Sequence, residues 1–176
     1  PQPGYNFGDF FADHANQVQL NQLEFTLNKA INSSVNRYQV GFTLEAMYGS
    51  DARYYHLVGV SDREWNDRYQ LIPAQAHMDV HLPWVTRGGL DMQAGILQAP
   101  MGVEGLDPAS RAFYTLAYTS EYSVPFQHVG AMFNWHVTPM VDVTFGIDTG
   151  NQTTFGKSDN NNAPAGYFGF NLNNLA

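Results

Sequence analysis

Of the 176 residues, 44% are hydrophobic and 14% aromatic, yet only 14% are charged, against roughly 25% in an ordinary soluble domain. The 16 Asp and Glu outweigh 8 Lys and Arg to give a net charge of -8, which argues against nucleic acid as a partner, since phosphate backbones call for basic grooves. Cysteine is absent, which removes disulfides, thiolate metal sites and thiol nucleophiles, and no apolar run approaches the ~20 residues of a membrane helix. If this chain meets a bilayer, it must do so as strands closed into a barrel.

In chain order, residues 1–14, PQPGYNFGDFFADH, read as an outer loop arriving from an earlier strand. Seven segments then alternate apolar and polar residues with a period of two, the spacing that sends successive side chains to opposite faces of a sheet. The first, 18–27, slips phase at Asn21 and Gln22, which implies a bulge or a late strand start. The second sets Tyr38, Val40, Phe42, Leu44, Ala46 and Tyr48 against Gln39, Gly41, Thr43, Glu45 and Gly49, with Met47 the one large apolar intruder on the polar side. The third places Ile72, Ala74, Ala76, Met78, Val80 and Leu82 opposite Gln75, His77, Asp79 and His81. The fourth sets Leu90, Met92, Ala94 and Ile96 against Asp91, Gln93 and Gly95. In the fifth, Val129, Ala131, Phe133, Trp135 and Val137 face away from His128, Gly130, Asn134 and His136. The sixth opposes Val141, Val143, Phe145 and Ile147 to Asp142, Thr144, Gly146 and Asp148, and the seventh opposes Phe168, Phe170 and Leu172 to Tyr167, Gly169, Asn171 and Asn173.

Alternation alone also fits a soluble sandwich, which hides one face of each strand. The connections separate the two. Residues 28–37, 83–89 and 138–140 make short links, while 50–68, 98–126 and 149–164 make long ones, and the two kinds strictly alternate, as short periplasmic turns and long extracellular loops do in a porin. Tyr38, Trp84 and Trp135 fall beside the short links, where an aromatic girdle at one membrane interface is expected. The fold expected is therefore all-β, an antiparallel up-and-down transmembrane β-barrel. Seven strands are an odd number for a bacterial barrel wall, so residues 1–176 are read as part of a single outer-membrane barrel domain, about half of it, with flanking strands missing.

Several phrases, in order, resemble the OmpL-like outer-membrane β-barrel porin family of Gram-negative bacteria. Residues 21–27 (NQLEFTL) are similar to its first well-marked strand, and 47–54 (MYGSDARY) to a strand-end phrase. Residues 95–104 (GILQAPMGVE), followed by Asp107-Pro108 and Phe113-Tyr114, resemble the segment leading into its longest loop, and 125–130 (PFQHVG) the opening of the next strand. The resemblance runs from about Asn16 to Gly150 and implies a barrel larger than this chain. One departure is the absence of a basic residue just after Gly95, where Ile96 and Leu97 stand instead.

The polar face supplies the candidate pore lining: Glu24, Glu45, His77, Asp79, His81, Asp91, Asp142 and Asp148. Few Lys or Arg accompany these carboxylates, so their summed field implies a preference for cations. His77, Asp79 and His81 carry metal-ligand chemistry, but same-face residues on one strand lie about 6.5 to 7 Å apart and diverge, so they are assigned to a wetted wall and no metal or other cofactor is expected. The long segment 98–126 is expected to fold into the barrel mouth as a constriction loop, with Arg111 opposed to Glu104, Asp107 and Glu121. Ser158 to Asn162 offers oxygen ligands without Ca²⁺-loop spacing and is assigned to solvent. Ser, His and Asp occur in no catalytic arrangement, so no enzyme is expected. The function expected is passive diffusion of small hydrophilic solutes or ions across the outer membrane of a Gram-negative bacterium, with outer-membrane lipid as the surrounding partner and homo-oligomerisation left open. The alternative is a non-conducting structural barrel that anchors outer loops for assembly or binding.

Overall fold

The computed structural model describes residues 4–60, 67–102, 104–105, 107–154 and 163–174. Seven strands, β1 (Leu23–Lys29), β2 (Gln39–Gly49), β3 (Gln70–Leu82), β4 (Leu90–Gln98), β5 (Gln127–Thr138), β6 (Val141–Asp148) and β7 (Ala165–Leu172), form one sheet. Each strand pairs antiparallel with its sequence neighbour, an up-and-down meander with β1 and β7 at its two edges. The sheet is not closed. Among the described residues no helix is long and apolar enough to cross a membrane.

Register turns the sequence alternation into two continuous faces. Across the sheet, Val40, Val80, Met92, Phe133, Phe145 and Phe168 stand in one cross-strand row, and the rings of Phe133 and Phe145 stack at 5.1 Å. The neighbouring row on the opposite face runs Gln39, His81, Asp91, Asn134, Thr144, Gly169. No second sheet lies over the apolar face among the described residues: Phe168 is 74% and Phe25 72% exposed. A sandwich would bury those rings between its layers, so that architecture is excluded. A soluble surface of contiguous Phe, Leu, Val and Met would also be far outside the usual run of monomer patches.

Two departures from strict alternation are informative. β1 begins only at Leu23, a late start, because the carbonyls of Leu20 and Asn21 are already taken by the backbone N–H groups of Ser50 and Asp51. Gly49 holds φ at +151° there, and a Cβ on it would strike the Asn21 backbone, so the crossing needs glycine. In β3 the register against β2 shifts between Glu45 and Ala46, so that Gln75 faces Glu45 while Pro73 faces Ala46 and Ala74 is the extra residue. That bulge corrects the expected phase of the third strand. Ile72 and Ala74, expected on the apolar face with Met78 and Val80, instead lie on the polar side, buried beside Met47; one inserted residue flips every side chain beyond it.

The buried core lies at the long-loop end of that polar side. Met47, Ile72 and Ala74 from the strands meet Ala52, Tyr55 and Phe11, and Phe10, Tyr54, Tyr114, Leu116 and Phe126 pack around them. Phe10 and Phe11 and the connection between β4 and β5 therefore fold over the polar face, so the connection does not trail outward.

Candidate functional site

The polar face is a hydrogen-bonded lattice in which alternation supplies the groups and register decides the partners. At the short-turn end, Asp91 on β4 accepts from Ser33 of the β1–β2 turn and faces the ring nitrogens of His81 and His136, the latter at 3.0 Å. The other nitrogen of His136 lies 2.8 Å from Asp142 on β6, whose second oxygen accepts from Asn173 at 2.8 Å. Carboxylates only accept, so an imidazole between two of them satisfies both contacts by donating from both nitrogens. Midway, His77 Nδ1 stands 3.1 Å from Asp79, which also accepts from Gln93 at 2.7 Å. Glu45 accepts from Gln75 at 2.9 Å and from Thr26. His128 Nδ1 lies 3.1 Å from Asp148 Oδ2, an ion-pair distance, without forming a hydrogen bond.

The expected lining residues thus share one face, and their side-chain partners are histidines, amides and hydroxyls. Among the strands the only Lys or Arg is Lys29, paired with Phe42 in the apolar phase. His128 and His136 stood in the polar phase of the sequence without a role; their pairing with Asp148, Asp91 and Asp142 follows from register, which no single segment reveals. Ser33 reaches Asp91 from a turn that alternation does not describe. His77 and His81 turn to different carboxylates, so the H-x-D-x-H series does not converge on one point.

A hollow of about 480 Å³ opens on this face, and Asn28, Thr43, Asp79, Gln93, Asn134 and Asn171 are among its walls. All seven strands contribute, including both edge strands through Asn28 and Asn171. A flat seven-stranded sheet would hold its edges about 29 Å apart at ~4.8 Å per strand. Their sharing one hollow of this size means that the sheet curls strongly toward its polar side.

At the long-loop end, the four residues expected in a constriction loop take separate positions. Glu104 accepts from the Ala117 backbone N–H at 2.9 Å, and Asp107 caps the 3-10 turn Pro108–Ser110 by accepting from Ala109 N–H at 2.7 Å. Glu121, on the short helix α1 (Tyr118–Ser123), accepts from the Phe10 backbone. Arg111 lies with its guanidinium carbon 6.0 Å over the Phe11 ring, and its charge acts on Glu24 of the wall and on Glu104. Sequence reasoning missed the residues that fasten this end. Asp13 binds Arg53 at 2.8 Å and Arg68 at 3.2 Å; burial pulls its carboxyl up, but bonds from Arg53, His14 and Arg68 outweigh that and hold it down at about 2. Asp51 is fully buried and accepts from Tyr114 Oη; burial pushes it up to about 6, against the opposing bonds from Tyr114 and Ser50. Burial also drives the Tyr55 and Tyr114 hydroxyls well above their usual range.

The three girdle candidates lie at the opposite end of the apolar face, two of them in contact with each other. Trp84 Nε1 donates to Tyr38 Oη at 2.6 Å, their rings crossing edge to face at 6.0 Å, and Trp135 Nε1 donates to Thr86 Oγ1 at 3.2 Å. A second exposed pair, Tyr48 and Tyr69, stacks at 6.4 Å at the long-loop end. Tyr38, just before β2, and Tyr48, near its end, are ten residues apart, about 33 Å of extended chain at ~3.3 Å per residue. Tilted by about 40°, as barrel strands are, that is ~25 Å along the membrane normal, the height of an apolar barrel band.

The family described as Putative beta-barrel porin-2, OmpL-like, matches residues 1–175. The chain belongs to this family. The match is wider than the stretch from Asn16 to Gly150 on which the sequence phrases drew, and it joins the two-faced sheet to a porin-like membrane barrel. No curated protein and no solved structure matches the chain.

Proposed function

We propose that this porin-family sheet is a stretch of the wall of an outer-membrane barrel in a Gram-negative bacterium, that flanking strands complete it, and that it lets small hydrophilic solutes or ions diffuse passively. The observation that carries the reading is the register itself: it assembles an uncovered apolar face and, behind it, a polar face whose 480 Å³ hollow draws on every strand. In lipid the apolar face meets acyl chains, and water occupies the other side. Cations pass in preference to anions, because Glu24, Glu45, Asp79, Asp91, Asp142 and Asp148 act on the lumen with only histidines beside them in the strands. The loop segment around Arg111 narrows the mouth, and Tyr38, Trp84 and Trp135 anchor the wall at the lipid headgroups.

A second reading has its own support. Phe11, Tyr55, Tyr114 and Phe126 cover the polar face at one end and Ser33 reaches across it at the other, which suits a sealed barrel that anchors its outer loops. Planar-bilayer recording under a salt gradient separates the two: the conducting reading expects steps of current and a reversal potential on the cation side, lowered by Asp79→Asn. Silence from correctly folded, inserted protein would establish the anchoring reading in its place.

A further inference from the structure

Aromatic rings at the long-loop end form a run that passive conduction does not require. Tyr118 and Tyr122 stack at 6.0 Å on one side of α1 and are 75% and 51% exposed. Tyr122 meets Phe10 at 4.7 Å, and Phe10 stacks on Tyr54 at 5.2 Å with only 15° between the planes. A hollow of about 260 Å³ opens beside them, with walls that include Phe10, Tyr54, Glu121, Tyr122, Phe126 and Gln152. The rings are held in place. Tyr122 Oη donates to the Gly8 carbonyl at 2.9 Å, Gln152 Nε2 donates to the Tyr54 carbonyl at 2.7 Å, and Glu121 accepts from Phe10 N–H through one oxygen.

We infer that this mouth is a carbohydrate-binding site, taking a neutral pyranose chain whose ring faces lie on Phe10, Tyr122 and Tyr118 while its hydroxyls bond Glu121. The chemistry favours that class over others. Aromatic faces pack against the apolar C–H face of a sugar ring while rim groups receive its hydroxyls, a combination of large apolar body and few oriented polar groups that suits small-molecule sites. A carboxylate has about four lone-pair sites, and the single bond from Phe10 leaves acceptor capacity for a hydroxyl. A cationic ligand would compete with a cation already in place, since Arg53 stands 4.7 Å above the Tyr54 ring, and phosphorylated ligands meet a chain of net charge -8. The hollow is smaller than the ~300–1,000 Å³ of drug-sized pockets, so it seats a ring at the end of a chain, with the remainder lying over Tyr118.

The test uses the protein folded in a detergent without sugar headgroups, with a linear glucose hexamer as probe and a quaternary ammonium compound as rival. Saturation-transfer NMR is expected to show transfer to the sugar ring protons. Tyr122→Ala and Tyr118→Ala are each expected to weaken binding about tenfold or more and Glu121→Gln several-fold. Tyr122→Phe keeps the ring and keeps binding, as does Phe113→Ala, which removes an exposed ring of the same connection that belongs neither to the hollow's wall nor to the Tyr118–Tyr122 stack. Tyr118 is exposed enough that its alanine variant leaves the fold intact, so the test survives if Tyr122→Ala misfolds. Absence of transfer to the wild-type protein, transfer indifferent to loss of both tyrosines, or displacement of the sugar by the ammonium probe would each overturn the inference. Binding is read without current, so a sealed barrel leaves it standing and a sugar-blind pore leaves conduction standing.

Discussion

The two ends of the polar face are built from different materials by the same strands. β3 contributes Ile72 and Ala74 to a dry cluster beneath Phe11 and Tyr55, and eight or so residues later contributes His81 to an ionic lattice with Asp91, His136 and Asp142. What separates the two ends is the bulge opposite Glu45 and Ala46. Beyond it, residues that would have joined the apolar face turn toward the polar side and give Phe10, Phe11 and the β4–β5 connection an apolar floor to settle on. Without that floor, backbone laid over a charged wall would be poorly packed and free to move. The loop end is thus organised by hydrophobic burial, and the turn end by charge-assisted hydrogen bonds.

The largest effect comes from removing the apolar floor's main occupant. Phe11 is fully buried among Tyr54, Tyr55 and Phe126, and Phe11→Ala is expected to cost about 3–5 kcal/mol of local stability. Hydrogen exchange and limited proteolysis are expected to accelerate over residues 9–14 and 108–126 while the strands keep their protection. Equal loosening of β4–β6 would show that the two ends are one cooperative unit. At the turn end the matching change is His136→Gln, which leaves Asp91 and Asp142 with one fewer shared donor. It is expected to cost roughly 1.5–3 kcal/mol, the range for hydrogen bonds to charged groups, and to move the reversal potential further to the cation side, with loop protection unchanged.

How much of this contrast the sequence disclosed depends on whether its cause is local. The strands, their order and the composition of both faces follow from a period of two, and β4, β6 and β7 lie in the phases that their residues dictate. Met47 was visible as an apolar residue on a polar face, but its meaning was not, because Phe11, one of the partners that bury it, lies far off in the chain and Ile72 reaches it only through the bulge. Pro73 is the one local mark of an irregularity, since proline inside a strand is confined to edges and bulges, but it does not tell which residues change face. The carboxylates of the wall were legible as a set, whereas their pairing with histidines needed the register. The four loop residues Glu104, Asp107, Arg111 and Glu121 were legible only as a charged loop, since each is fixed by a backbone or ring contact that spacing cannot show. Residues 158–162, the oxygen-rich stretch assigned to solvent, lie outside the described residues.

The smallest expected effect per step sharpens the comparison by pH, through two carboxyl groups of the loop end with opposite shifts. Asp51, faced by Ser50, Arg53, Gln22 and Tyr114, has its carboxyl raised by burial to about 6, above the 3.8 it would show in an opened loop. The closed form therefore holds a proton that the open form releases between these values. Stability is fully gained below 3.8 and is lost as the pH rises through 6, at a limit of about 1.4 kcal/mol per pH unit. Asp13 runs the other way: its clasp with Arg53 and Arg68, at about 2 when folded, contributes fully above 3.8 and is lost as the pH falls through 2. Protection of residues 9–14 and 108–126, corrected for intrinsic exchange rates, is thus expected to pass through a maximum near pH 4, rising up to about tenfold per unit on descent from pH 6. Tyr114→Phe deletes a bond that lowers the Asp51 carboxyl, so the upper limb of that curve is expected to move to higher pH. A protection curve flat between pH 4 and 7 would mean that Asp51 meets water in the closed state, and that the loop end is not the dry compartment that separates it from the histidine lattice.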